Sequence, residues 1–113
     1  MHKRILDLST ILARKSVFLF GPRQTGKSTW LKKYYPEALY INLLSKKVFD
    51  DYANRSGALE SDIKLFRRKS QNKVIVIDEV QKLPSLLDEV HNQIELDKSL
   101  RFILTASSAR KLK

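Results

Sequence analysis

The segment from Gly21 to Ser28 has the spacing of a phosphate-binding loop. It reads Gly-Pro-Arg-Gln-Thr-Gly-Lys-Ser and matches the pattern G-x-x-x-x-G-K-[ST]. Glycines permit backbone conformations in which successive amides face one anion. Lys27 is then placed to contact the β- and γ-phosphates, and the Ser28 hydroxyl to bind Mg²⁺. The predicted nucleotide-binding residues are Gly21, Pro22, Arg23, Gln24, Thr25, Gly26, Lys27, Ser28 and Thr29.

A pair of acids, Asp78 and Glu79, directly follows the apolar run 74–77. The end of a buried parallel strand reaches the ligand pocket. We therefore predict that Asp78 holds Mg²⁺, through water, and that Glu79 polarises the attacking water as a general base. A surface turn that happens to contain two acids is the alternative. The phosphate-binding loop upstream favours the catalytic interpretation.

Three hydroxyl residues, Thr105, Ser107 and Ser108, come after the apolar run 102–104. A hydroxyl at this position could bond the γ-phosphate or the attacking water. Ordinary turn chemistry is the alternative, because Ser and Thr favour loops and caps. The sequence does not choose among the three residues.

Two further polar residues have two interpretations each. Arg110 could stabilise transition-state charge, although a solvated basic tail is favoured. Gln81 could orient water or simply lead into the next helix. His91 is predicted to face solvent, and His2 is the only other histidine, so no histidine metal site is expected.

The elements that must position these residues alternate along the chain. Apolar runs predict strands at 17–20, 39–43, 74–77 and 102–104. Helical spacing predicts helices at 4–14 and 27–35, two more within 45–70 with a break at 54–57, and another carrying the apolar stripe 83–94. Ser85 and Asp88 resemble a capping box for that last helix. Alternating strands and helices indicate a parallel sheet, with ligands bound beyond the carboxyl ends of its strands.

Composition fits one domain. The 113 residues contain no Cys, which excludes a disulfide scaffold, a thiolate metal site and a Cys nucleophile. No apolar run approaches the ~18 residues of a membrane span. Asp7, Arg14 and Lys15 interrupt the apolar N-terminal stretch, so a signal peptide is rejected. We therefore expect a cytoplasmic protein with no membrane partner.

The charge is strongly positive, with 22 Lys plus Arg against 12 Asp plus Glu and a net charge of +10. Such a field attracts nucleotides, nucleic acids and anionic membranes. The basic residues are scattered, however. The densest cluster, Lys64, Arg67, Arg68 and Lys69, is typical of a solvated helix face.

Three segments together resemble one family. GPRQTGKS, then IDEVQKLP with SLLDEVH, then RFILTASSARKL are similar to the AAA-type ATPases of bacteria and archaea over essentially the whole chain. The resemblance implies an α/β fold of the P-loop NTPase type, with three α/β/α layers and a mostly parallel sheet. It also implies ATP and Mg²⁺ as ligands, hydrolase activity, a Walker A loop at 21–28 and a Walker B pair at 78–79. The implied catalytic residues are Glu79, Lys27 and a sensor at Thr105 or Ser107, and the implied metal ligands are Ser28 and Asp78.

The chain departs from the family pattern in two ways. Ala106 stands where the family usually has Gly, and the chain ends soon after the fourth strand. We therefore expect residues 1–113 to form a partial AAA-type domain with about four core strands and the fifth missing. The first and fourth strands should be neighbours, which leaves the first strand as an edge. The expected partner is a missing C-terminal domain, or a second copy of the chain that associates through that edge.

The expected function is ATP binding and Mg²⁺-dependent hydrolysis, coupled to an unknown partner or second domain. One alternative is a truncated nucleotide-binding or interaction module without turnover. Another is an ATPase coupled to nucleic acid. The choice of adenine rests on the resemblance alone.

Overall fold

The computed structural model of the chain describes residues 17–21 and 27–107, and the side chains of 31–106. The predicted helix at 4–14, the loop residues 22–26, Ser108 and Arg110 lie outside this part. The elements in chain order are β1 (Val17–Gly21), α1 (Lys27–Tyr34), β2 (Leu39–Asn42), α2 (Lys46–Asn54), α3 (Ala58–Lys69), β3 (Val74–Asp78), a 3₁₀ turn (Val80–Lys82), α4 (Leu86–Leu96) and β4 (Arg101–Ser107).

The four strands form one parallel sheet in the order β1-β4-β3-β2. The first and fourth strands are neighbours, as the family resemblance implies. In this register Gly21 lies opposite Ser107, and Asn42 lies opposite Asp78. The carboxyl ends of all four strands therefore meet along one border of the sheet, here called the carboxyl edge.

Successive residues of a strand point to opposite sides of the sheet, and here the side chains on both sides are apolar. Helices therefore cover both faces. On one face Ile75 and Ile77 pack in a large core with residues of α2, α3 and α4. On the other, Val76 and Ile103 pack against Leu31 of α1. The structure thus confirms an α/β fold with three layers in the described part of the chain.

Local signals set the boundary between α2 and α3. The Ser45 hydroxyl accepts a hydrogen bond from the Val48 amide at 3.4 Å and so caps the start of α2. Gly57 has φ 72°, a left-handed conformation that only glycine adopts without penalty, and α3 begins at the next residue. Residues 55–57 thus separate the two helices within the predicted break.

Two expectations about element ends are wrong. Ser85 has helical angles, φ −62° and ψ −20°, and makes no side-chain capping bond, so the capping box is absent. The last strand extends through Ser107 rather than ending at 104. Thr105 and Ala106 are buried and continue the pairing with β1, which places Thr105 inside a strand instead of a turn.

No helix among the described residues combines the length and the apolar character needed to cross a bilayer.

Candidate functional site

Among the described residues, several of the predicted site residues lie along the carboxyl edge or in the helix that follows β1. Gly21 ends β1, Asp78 ends β3, and Lys27, Ser28 and Thr29 form the first turn of α1. For those three residues and for Ser107, only the backbone position is described. Strand β4 lies between β1 and β3. Since neighbouring strands lie about 4.8 Å apart, the ends of β1 and β3 are separated by about 10 Å, a distance that a triphosphate can span.

The polar site residues stand on the face of the sheet that α1 covers. Val76 and Ile103 belong to the core beneath α1. Side chains two positions apart on a strand share a face, so Asp78 and Thr105 continue the same two rows beyond the apolar residues. The helix that follows the phosphate-binding loop therefore packs on the same face as the acid at the end of β3.

Asp78 is held from both neighbouring strands. Its side chain is buried, with 1% of the residue exposed. Oδ1 accepts a hydrogen bond of 2.5 Å from the Thr105 hydroxyl on β4. Oδ2 accepts one of 3.3 Å from the Tyr40 hydroxyl on β2. Hydrogen bonds to a carboxylate are among the stronger ones in proteins, so the orientation of this group is well defined.

Glu79 has an unusual backbone. Its angles, φ 61° and ψ 49°, are left-handed, and it is the one non-glycine residue with positive φ in the described part of the chain. The conformation costs about 1–2 kcal/mol for a residue with a Cβ. Its amide donates to the Thr105 hydroxyl at 2.9 Å, and its Oε1 accepts from the Gln81 side-chain amide at 2.7 Å. Strain of this kind is concentrated at functional sites.

Sequence reasoning missed Tyr40 altogether. The Lys32 ammonium of α1 lies 5.0 Å from the centroid of the Tyr40 ring, and the Tyr40 hydroxyl bonds Asp78. Tyr40 therefore connects α1 with the acid at the end of β3. The available signal was a tyrosine within a short strand, because a partly buried tyrosine usually directs its hydroxyl to a partner. Gln81 was noted as a residue that could orient water, and the structure places its amide on Glu79.

The predicted basic cluster on α3 is partly neutralised. Lys64 pairs with Glu60 at 3.5 Å, and Arg67 pairs with Asp97 at 2.5 Å. Residues 31–106 contain 13 basic and 11 acidic side chains, so most of the excess positive charge belongs to other parts of the chain. His91 is exposed, as predicted. These contacts agree with a solvated helix face.

The donor chemistry fits a magnesium–nucleotide complex. Mg²⁺ prefers oxygen ligands and is usually held by one or two protein groups together with phosphate oxygens. Asp78 has an oxygen group of this kind at the end of β3, and Ser28 stands in the first turn of α1, where a helix N-terminus favours phosphate. The described residues include no group of three or more His, Cys, Asp or Glu that could hold a metal.

Strand order and layering define the class of domain. Strand β1 ends in a glycine and is followed by helix α1, and strand β3 ends in an acid. One strand lies between β1 and β3, and this arrangement is that of a P-loop-type α/β domain. The family described as AAA domain matches residues 13–113, and the chain belongs to that family. Comparison with curated proteins and with solved structures gave no match. Family membership confirms the AAA-type resemblance and indicates a nucleotide-binding function of the ATPase type.

Proposed function

We propose that the chain binds ATP with Mg²⁺ and hydrolyses the β–γ phosphate bond. One observation carries this proposal: Asp78 and Glu79 are buried side by side where β3 ends at the carboxyl edge, one strand away from the end of β1, where the phosphate-binding loop begins. Burying a carboxylate costs free energy unless hydrogen bonds or a charged partner compensate for the lost water. Here Oδ1 of Asp78 accepts a hydrogen bond from the Thr105 hydroxyl, and Oε1 of Glu79 accepts one from the Gln81 side-chain amide.

Substrate binding falls to residues 21–29. In the proposal, the loop amides and the N-terminus of α1 bind the phosphates, and the Lys27 ammonium contacts the β- and γ-phosphates. Ser28 and Asp78 would hold Mg²⁺, Asp78 through water, and the ion would neutralise charge on the transferred phosphoryl group. The packing of Leu31 against Val76 and Ile103 supports the arrangement, because it fixes α1 over β3 and β4.

Glu79 acts as the general base in this proposal. Its carboxylate accepts a proton from water as the water oxygen attacks the γ-phosphorus, the bond to the β-phosphate oxygen breaks, and ADP leaves. The Gln81 amide at 2.7 Å orients the carboxylate before it accepts the proton. A base that is 3% exposed acts where little competing water is present, which favours proton transfer from a positioned molecule. Thr105 or Ser107 is the proposed sensor on β4.

The test is Glu79→Gln, which keeps the size and most hydrogen bonds of the side chain but removes its basicity. We expect ATP turnover to fall by about 10²–10⁴-fold, with Mg-ATP affinity by calorimetric titration unchanged. Glu37→Gln, at an exposed acid in the turn after α1, is the matched control and should keep native turnover. Turnover by Glu79→Gln at the native rate would show that Glu79 is not the base.

A nucleotide-binding module without turnover is the second candidate. The observation in its favour is that Oε1 of Glu79 already accepts a hydrogen bond from Gln81. Mg-ATP binding by the native chain without measurable turnover would support this candidate. Coupling to nucleic acid has less support, because two members of the α3 basic cluster are paired with acids. Stimulation of turnover by DNA or RNA that weakens steeply with salt would favour it.

The energy of hydrolysis would drive a change in a second domain or a partner protein. That coupling, self-association through the β1 edge and the cytoplasmic location stay predictions.

A further inference from the structure

We propose that Thr105 is a positioning residue for the acid pair and that its hydroxyl does not contact the nucleotide. The inference rests on the proposed function, since it assigns how Asp78 and Glu79 are held for that chemistry. It also separates Thr105 from Ser107, two of the three hydroxyl residues among which the sequence left the sensor role undecided.

The Thr105 hydroxyl has its single hydrogen engaged. A hydroxyl carries one hydrogen and two lone pairs. In Thr105 the hydrogen points to Asp78 Oδ1 at 2.5 Å, and a lone pair accepts the Glu79 amide hydrogen at 2.9 Å. The residue is completely buried in β4. Since the hydrogen is given to Asp78, the hydroxyl cannot donate to a phosphate oxygen in the same state.

Both bonds act where the site needs precise geometry. The Glu79 amide is fixed at the residue whose left-handed backbone turns the chain out of β3 into the 3₁₀ turn. Asp78 keeps a second bond, to the Tyr40 hydroxyl, but that bond is longer at 3.3 Å. Loss of the Thr105 hydroxyl would remove its bond to the buried Glu79 amide and its bond to Oδ1 of Asp78, so both groups would be positioned less precisely. Partners that orient a metal ligand typically contribute 10–100-fold to metal affinity.

Ser107 is the better placed residue for a sensor. It lies two positions further along β4, directly opposite Gly21, where the phosphate-binding loop begins. Thr105 instead pairs with Leu19, within β1. The two hydroxyl residues thus lie at different depths, one beside the acids and one beside the start of the loop.

The experiment compares Thr105→Ser with Thr105→Cys, which differ by one atom. Ser keeps the O–H donor and Cys replaces it with a weak S–H donor. The chain has no native Cys, so the new thiol has no partner for a disulfide within the molecule. The readout is the Mg²⁺ concentration that gives half-maximal ATP turnover and half-maximal binding of a fluorescent ATP analogue. ATP and ADP affinities are also measured in EDTA.

Thr105→Cys is expected to raise the Mg²⁺ requirement at least tenfold relative to Thr105→Ser. Both variants should keep the native ATP and ADP affinities in EDTA. An unchanged Mg²⁺ requirement in Thr105→Cys would overturn the proposal. So would a selective loss of ATP affinity over ADP affinity, because that pattern indicates contact with the γ-phosphate.

A double-mutant cycle keeps the inference testable without nucleotide. Thr105→Val, Asp78→Ala and the double variant are compared by urea unfolding. If the hydroxyl holds the carboxylate, the two single changes are not additive. Additive effects would overturn the positioning role. A native chain that fails to bind Mg-ATP would instead refute the proposed function, while the cycle still decides whether Thr105 holds Asp78.

Discussion

At the scale of single residues, Glu79 carries a cost that its neighbours partly offset. A left-handed backbone is unfavourable for any residue with a Cβ. Glu79 adopts this conformation, with φ 61°, at the junction of β3 and the 3₁₀ turn. The amide bond to Thr105 holds the turn in place. The proposed role of Glu79 as a general base needs a carboxylate, which glycine would not provide.

Because of this strain, we expect two substitutions of Glu79 to have the reverse of the stability order that they have inside a helix. Glu79→Gly should be more stable than Glu79→Ala by about 1 kcal/mol, because both remove the bond to Gln81 but only Ala keeps the strained Cβ. Urea unfolding with equal m values measures the difference. The same pair at His91, an exposed position inside α4, should give the opposite order by about 1 kcal/mol. Equal stability of the two Glu79 variants would contradict the strain argument.

At the scale of elements, α3 packs against the core through one face and exposes the other to solvent. Leu59 is completely buried among the helices and the sheet, whereas Leu65 on the same helix is 50% exposed. Burial of a leucine side chain removes it from water and also fills a closely packed space, and both contributions are lost on truncation. Truncating each leucine therefore distinguishes the contribution of core packing to the free energy of unfolding from that of helix propensity.

Leu59→Ala should lower the free energy of unfolding by about 2–5 kcal/mol. Leu65→Ala is the matched control, with the same chemical change on the same helix, and should stay within about 0.5 kcal/mol of the native value. Chemical denaturation monitored by circular dichroism measures both. A comparable loss in the two variants would mean that α3 does not dock as described.

The elements were largely predictable because their signals are local. The run Val74 to Ile77 predicts a strand from β-branched residues alone, and Pro36 predicts the end of α1. β4 was predicted too short because Thr105 reads as a turn residue. Its hydroxyl is satisfied by Asp78, 27 positions earlier in the chain, and no local pattern reveals that partner. Tyr40 was missed for the same reason, since its partner is 38 positions away.

In the candidate site too, the features set by local sequence were predictable and those set by distant partners were not. The types and spacing of Gly21, Lys27, Ser28, Asp78 and Glu79 were sufficient to propose a triphosphate site, and the strand order places the ends of β1 and β3 on one edge. The left-handed backbone of Glu79 and the two bonds made by one hydroxyl could not be predicted. Both depend on side-chain geometry across strands that are distant in sequence.

At the scale of the whole molecule, ion pairs connect the helical layer to the loops around it. Arg55, in the break between α2 and α3, pairs with Asp51 at 2.8 Å and with Asp62 at 3.2 Å. Arg67, near the end of α3, pairs with Asp97, in the turn between α4 and β4. Surface pairs of this kind contribute modestly to stability at neutral pH. Where such a pair lowers the pKa of its acid, its contribution to stability depends on pH.

Asp97 shows in which direction stability changes with pH. Hydrogen bonds from the Ser99 hydroxyl, then from the Arg67 guanidinium and the Ser99 amide, hold the pKa of Asp97 well below its usual value of 3.8. The folded state therefore binds the proton less readily than the unfolded state does. Its contribution to stability is complete above the unfolded pKa, near pH 4, and is lost as the pH falls through the lower, folded pKa. Stability should accordingly decline below about pH 4 through protonation of this group.

Asp97→Asn should flatten that decline, because the variant has no proton to gain at this position. The urea midpoint of the variant should lie below the native midpoint at pH 6, and the gap should narrow as the pH is lowered from 4 toward 2. Asp88→Asn, at an exposed acid in the first turn of α4, is the matched control, because it removes one carboxylate and leaves the bonds of Asp97 in place. A constant gap between native and Asp97→Asn midpoints over this range would mean that the bonds from Ser99 and Arg67 do not favour the ionised carboxylate. The pairing of α3 with the turn before β4 would then contribute to stability without any linkage to protons.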